Sequence, residues 1–262
     1  MSEDVLLMEK SEGIALVTLN RPDKLNALSR DLRRALKRTF EALRTDEEVD
    51  VVILTGSGRA FCAGLDLREL GGESGGDEAE RSDAVAGADV VAAVESFPGP
   101  VIGAINGFAI TGGFELALAC DVLLASSEAR FADTHARVGI LPGWGLSQKL
   151  PRTIGLYRAK EMSLSGNYIG AEQAAAWGLV SRVVAAEELL DAARALARDM
   201  RTCPRGVLHS YKRLIDDGFR GTLKDGLILE SRRSREHMGS VSADQIRERR
   251  DAVQSRGRAQ GS

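Results

Sequence analysis

Ile105-Asn106-Gly107-Phe108-Ala109-Ile110-Thr111-Gly112-Gly113-Phe114-Glu115-Leu116-Ala117-Leu118-Ala119-Cys120-Asp121 is the stretch that decides the reading of this chain. The apolar run Val101 to Ile105 reads as a buried strand and enters a glycine-bearing turn. A helix is expected to start at Gly112-Gly113, with Glu115 in its first turn and apolar residues around it. Glycines at a helix start leave backbone N–H groups open to a ligand oxygen. A carboxylate among Phe, Leu and Ala is costly to bury without a partner or a task. N–H donors beside an acid–base group point to catalysis on a carbonyl compound.

A second strand-like run, Val51-Val52-Ile53-Leu54-Thr55, leads into Gly56-Ser57-Gly58-Arg59-Ala60-Phe61-Cys62-Ala63-Gly64-Leu65-Asp66-Leu67. Two more pieces belong with it. One is Leu19-Asn20-Arg21-Pro22-Asp23-Lys24-Leu25-Asn26-Ala27-Leu28, and the other runs from Phe131 to Gln148 around Gly139-Ile140-Leu141-Pro142-Gly143. In this order and spacing, between about Ile14 and Val183, the four pieces resemble the crotonase superfamily of enoyl-CoA hydratases and isomerases. The likeness is looser beyond Cys203.

The residues themselves give the fold class. Ile14–Leu19, Val51–Thr55, Val101–Ile105 and Val122–Ala125 read as strands. Leu28, Leu32, Leu36, Phe40 and Leu43 recur at helical spacing after Ser29, a candidate N-cap. Strands alternating with helices predict an α/β chain with buried, largely parallel strands. After Val184 the pattern is helical: Leu189, Ala193, Leu196 and Met200 form one face, Pro204 opens a further helix, and 223–238 and 243–253 read as two more. The resemblance adds a crotonase-type spiral of ββα units. It implies a spiral core with the CoA and acyl site over 1–195, and a helical C-terminal trimerisation region over 196–262. Residues 71–87, rich in Gly, Asp and Glu, read as a loop; in crotonases the matching segment borders the acyl pocket.

Composition sets limits. A chain of 262 residues, 44% of them hydrophobic, can bury a sizeable core. A net charge of −3 gives no reason to expect nucleic-acid binding. The end is basic: Arg232 to Ser262 holds eight Arg against four Asp or Glu, a net of +4. Cys62, Cys120 and Cys203 are widely spaced and form neither a zinc pattern nor a disulfide framework. No basic-then-apolar leader precedes Ile14, and no apolar run reaches membrane length. The expectation is a cytoplasmic protein without metal, cofactor or membrane, in which CoA is part of the substrate.

Hydrating a double bond conjugated to a thioester builds negative charge on the thioester oxygen, and two aimed N–H donors stabilise it. The resemblance implies these donors at Ala63 and Gly112, with Gly64 allowing close approach of the backbone. It also implies Glu115 as a water-activating glutamate. The family's second glutamate falls at His135, a departure: an imidazole can act as acid or base near neutral pH, or the residue is structural. Asp133 shares a side with His135 if the segment is extended and faces away if it is helical; it stands in reserve. Lys24 and Ala27 lie in the stretch that resembles the CoA-contacting loop, where Lys24 either meets a phosphate or is a solvated lysine. Leu65 and Gly64 belong to the substrate-binding turn. Asp66 either touches substrate or caps the next helix. Trp144 and Leu146 stand where family hydratases carry small residues, so they narrow the acyl pocket or pack in the core. The implied partners are an acyl-CoA thioester and further copies of the chain, as a homotrimer or dimer of trimers with a role for Arg249 or Arg250 at a neighbour's CoA site.

A hydro-lyase acting on a 2-enoyl-CoA is thus the leading expectation. The alternatives are another crotonase reaction, such as isomerisation, hydrolysis or decarboxylation, or a non-catalytic CoA-binding homologue. A dinucleotide-binding dehydrogenase fails because Phe61 stands where the third glycine of the fingerprint should be.

Overall fold

A computed structural model describes residues 4–70 and 88–260. The glycine-rich stretch 71–87, expected as a loop, lies outside the described residues. The chain divides into two compact units between His209 and Ser210.

The first unit is built on two sheets. Its strands are β1 (Leu6–Ser11), β2 (Ile14–Leu19), β3 (Val51–Gly56), β4 (Ala60–Cys62), β5 (Val101–Ile105), β6 (Phe108–Ile110), β7 (Val122–Ser126), β8 (Arg130–Ala132), β9 (Ile169–Gly170) and β10 (Arg182–Val184). The larger sheet has the order β1-β2-β3-β5-β7-β10, and the smaller one β4-β6-β8-β9. Only the β1–β2 hairpin and the β8–β9 pair are antiparallel among these pairings.

Chain order and sheet order together define a coil. β3 and β4, β5 and β6, and β7 and β8 are three successive strand pairs. The first strand of each pair lies in the larger sheet and the second in the smaller. Helices follow the pairs: Leu67–Leu70 and Ala88–Glu95 after the first, Gly112–Ala117 after the second, and His135–Val138 after the third. The expected α/β spiral of ββα units is what the chain forms. Strand runs such as Val51–Gly56 and Val101–Ile105 are buried throughout, as parallel strands covered on both faces require.

The four sequence-read strands are present, two with identical limits and two longer by one residue. The helix Arg30–Leu43 buries Leu32, Leu36, Phe40 and Leu43, and Ser29 Oγ caps it by accepting from Leu32 N at 3.3 Å. The helix Leu189–Arg201 lays Leu189, Ala193 and Ala197 against the outer face of β3 and β5. Pro204 precedes the helix Arg205–Phe219, its carbonyl accepting from Val207 and Leu208. In the second unit the helix Leu223–Met238 opens with a capping box between Thr222 and Asp225. The helix Ala243–Gln260 runs further than the expected Val253 end.

Candidate active site

The second strands of the three coils lie side by side, so the residues that leave them meet at one edge. β4 runs into Ala63-Gly64-Leu65, β6 into Thr111 and the helix Gly112–Ala117, and β8 into Asp133-Thr134-His135. Thr111 N donates to Ala132 O at 2.9 Å and the Thr111 and Thr134 hydroxyls meet at 2.5 Å, which ties the second corner to the third. Glycine ties the first to the second. Gly64 has φ +94, and a Cβ there would lie 2.9 Å from Ile110 O and 3.3 Å from Gly112 N.

The expected donor pair needs one correction. Ala63 N–H is committed: it donates to Leu25 O at 3.0 Å. The amide of the next turn residue but one, Leu65, is uncommitted instead. Leu28 and Leu65 form a parallel bridge whose bonds run from Leu28 N to Gly64 O and from Asp66 N to Leu28 O. That pattern turns the Leu65 N–H away from Leu28, to the other side of the strand, and the Leu65 nitrogen lies 3.6 Å from where a Cβ on Gly112 would stand. Among the described residues no acceptor takes the N–H of Leu65 or of Gly112. The sequence pointed to this turn through Gly64, but only the pairing partner tells which amide is spent.

Glu115, Asp133 and His135 are all buried, and they form one array. Glu115 Oε1 accepts from Trp144 N at 2.8 Å and from Leu146 N at 3.3 Å. Oε2 stands 3.6 Å from His135 Nε2. The other ring nitrogen, Nδ1, is 2.7 Å from Asp133 Oδ1, which also accepts from His135 N at 3.2 Å. Burial pushes the Glu115 carboxyl above its ordinary range, against the two backbone donors and His135. Asp133 goes the other way. Burial pushes it up too, but hydrogen bonds from the His135 ring, from Ser163 and from His135 N hold it below the usual carboxylate range. Asp133 sits in the corner between β8 and the helix His135–Val138, neither strand nor helix, and there it points to His135.

The remaining expected residues surround this edge. The Arg21–Leu28 loop docks on the first corner through the Leu25 and Leu28 bonds, bringing Lys24 and Ala27 beside it. Lys24 is exposed in the 3-10 turn Pro22–Lys24, and Ala27 O accepts from Arg21 Nη1 at 2.5 Å. Asp66 pairs with Arg21 at 3.2 Å and accepts from Arg68 N at 3.3 Å, so it holds the loop and caps Leu67–Leu70. Trp144 is buried with its ring edge 3.1 Å from the Cβ position of Gly112, a wall of the site as much as core. Leu146 is fully buried. Cys62 is buried and its thiol is pushed up to about 12 by burial, so it is no nucleophile. Among the described residues no group of three or more His, Cys, Asp or Glu is arranged to hold a metal ion. Among them, too, no helix is long and apolar enough to cross a membrane.

Residues 9–253 match the family model described as Enoyl-CoA hydratase/isomerase. The chain belongs to the enoyl-CoA hydratase/isomerase family. It is 43% identical over 258 residues to the Arabidopsis thaliana protein described as "Probable enoyl-CoA hydratase 1, peroxisomal", covering 98% of this chain and 96% of that one. It is 36% identical to the short-chain-enoyl-CoA hydratase of Clostridium acetobutylicum, covering 86% of each. Among solved structures, the enoyl-CoA hydratase of Bacillus anthracis superposes with a TM-score of 0.86 at 34% identity, covering 92% of this chain and 93% of that one. The enoyl-CoA hydratase of Mycobacterium smegmatis gives 0.70 at 43%, with 91% and 100% covered. Within this enoyl-CoA hydratase/isomerase frame, the Asp133–His135 pair is the feature that sequence reading left open and the fold resolves.

Proposed function

We propose that this chain is an enoyl-CoA hydratase that adds water across the 2,3 double bond of an acyl-CoA thioester. The observation that carries the reading is the Glu115–His135 pair beside the two open N–H groups of Leu65 and Gly112. The thioester oxygen accepts from both amides, which stabilise the negative charge that develops there. Glu115 holds water and takes one of its protons as the hydroxyl bonds to C3. Its raised pKa makes it a stronger base than an ordinary glutamate. His135 Nε2–H gives a proton to C2. The proton on Glu115 then returns to His135 across the 3.6 Å gap, and both groups are restored. The two backbone bonds on Oε1 leave Oε2 free for this exchange.

The Arg21–Leu28 loop, with Lys24 and Ala27, contacts the CoA. The chain works as a trimer or dimer of trimers. Exposed Tyr211, Ile215, Phe219, Leu223, Leu227 and Ile228 support this, because that much apolar surface is unusual on a monomer. Arg249 or Arg250 then serves a neighbour's CoA site. Three free cysteines suit a cytoplasmic protein.

Crotonyl-CoA, followed by loss of enoyl absorbance and by product mass, tests the reaction. Addition of one water supports it; a shifted double bond without mass change, or no turnover, overturns it. Replacing the Leu65 amide by an ester should lower turnover about 10²–10³-fold, the usual worth of one such donor. The same change at Ala63 should cost stability instead. His135→Ala should lower turnover about 10²–10⁴-fold. Light scattering at a mass of one chain would overturn the assembly.

A further inference from the structure

The His135 ring is held from one side only, by a group that the hydration scheme above does not use. Asp133 Oδ1 accepts from both the backbone N–H and the Nδ1 of His135, at 3.2 and 2.7 Å. The two contacts close a small ring through residues 133–135, so the imidazole cannot rotate without losing them. The Ser163 hydroxyl, from the helix Leu156–Ser165, bonds the same carboxyl. All three side chains of the array are nearly withdrawn from solvent: 2% exposed for Glu115, 3% for Asp133 and 7% for His135. Water therefore cannot substitute for a lost contact at little cost.

An ionised carboxylate only accepts hydrogen bonds. With Asp133 ionised, Nδ1 must carry a proton in every state of the ring. The proton that comes and goes is then the one on Nε2, the nitrogen facing Glu115. Asp133 and Glu115 approach the imidazole from opposite sides, so the ring lies between a fixed acceptor and an exchanging one. A neutral imidazole with the proton on Nε2 alone would present no lone pair to Glu115 and would leave a lone pair facing a carboxylate.

We propose that Asp133 is the positioning residue of this site: it locks the proton of His135 on Nδ1 and reserves Nε2 as the atom that gives the proton to C2 and recovers it from Glu115. The proposal rests on the hydratase reading for its catalytic part and on the geometry alone for the tautomer. In each turnover Nε2–H loses its proton to C2, and Glu115 gains one from water. Transfer from Glu115 to the vacant Nε2 lone pair then balances the cycle. Asp133 gains and loses nothing.

The full-length protein, labelled with nitrogen-15 in its histidine rings, gives a readout independent of turnover. His135 is told apart from His209 and His237 by single substitutions of those two. At a pH where the ring is neutral, the expected spectrum has the proton on Nδ1 and a lone-pair shift on Nε2. Asp133→Ala should give a mixture of tautomers, and kcat should fall about 10²-fold or more with KM little changed. Asp133→Asn keeps an oxygen acceptor of the same shape, so it should keep the Nδ1–H tautomer and recover part of kcat over Asp133→Ala. A wild-type ring protonated on Nε2 overturns the proposal, even if no variant folds. An Asp133→Ala protein with wild-type tautomer and kcat overturns it as well. A wild-type protein that holds Nδ1–H but does not hydrate crotonyl-CoA sinks the hydratase reading and leaves the Asp133 lock standing.

Discussion

Gly64→Ala puts the joint between the first two coils to the test. The native φ is +94, a conformation that costs an L-residue about 1–2 kcal/mol. The added methyl would lie 2.9 Å from Ile110 O, a backbone atom of β6 that cannot swing aside, and 3.4 Å from Thr111 Cβ. Forcing such a group into a packed joint costs about 1–3 kcal/mol. Together the loss of stability should be about 2–5 kcal/mol. Activity should suffer separately. The methyl sits 3.3 Å from Gly112 N, over the donor, and the backbone shift that relieves the clash moves the Leu65 amide with it. Turnover per folded molecule should fall about 10²–10³-fold, as for a lost donor. Urea unfolding measures the first quantity through the midpoint at constant slope. Crotonyl-CoA hydration under conditions where the variant is folded measures the second. Gly112→Ala is the informative companion, because its tight Cβ contact is the Trp144 ring edge at 3.1 Å, while its backbone neighbours Gly64 Cα and Leu65 N stand at an ordinary 3.6 Å. Its stability loss should be the smaller of the two. A Gly64→Ala protein within about 0.5 kcal/mol of wild type and fully active would refute the reasoning.

Asn26 is fully buried, accepts from Arg21 N and donates to Ser57 O and Ala60 O. Asn26→Ala strands Arg21 N and Ser57 O, while Ala60 O keeps its bond from Asn106 Nδ2, and should cost about 2–5 kcal/mol, read by urea unfolding. In the proposed scheme turnover depends on ionised Glu115, so the acid limb of kcat/KM should lie above the ordinary glutamate range near ~4.3, and Glu115→Gln should be nearly inactive across the profile. Glu115 binds its proton more tightly folded than unfolded. The stability this gives is full below the unfolded pKa and is lost as pH rises through the folded one. Glu115→Gln should therefore match or exceed wild type in melting temperature at neutral pH, with the advantage vanishing in acid; a variant less stable at neutral pH than in acid, relative to wild type, would reverse the sign.

Long periodic or apolar segments were legible without the fold. Arg30–Leu43 announced itself by a cap and a stripe, and Val101–Ile105 by a run with no polar interruption. β4, β6 and β8 were not, because three residues carry too little pattern to separate a strand from a turn. β1, with five of six residues exposed, lacks a buried face to read. At the site, Glu115 and Gly112 were legible because residue type and local position suffice to raise them. Ala63 was misjudged because a backbone donor looks the same in sequence whether or not a carbonyl from residue 25 has claimed it. Asp133 stayed open because its direction depends on a two-residue corner that no periodicity describes.

The coil places one kind of chemical duty on each turn of the chain. The first turn offers an amide, the second an amide and a carboxylate, and the third an imidazole with its own anchor. They meet only because successive second strands stop at the same edge, one strand spacing apart. In the hydration scheme proposed above, a substitution in the third turn therefore changes the group that gives C2 its proton without disturbing the groups that grip the thioester oxygen. In the same scheme this chain, with Asp133-Thr134-His135 in that turn, keeps the grip of the first two and carries a different proton donor. On that scheme the architecture separates holding the substrate from delivering its protons, and a change of proton donor is then a change of one turn.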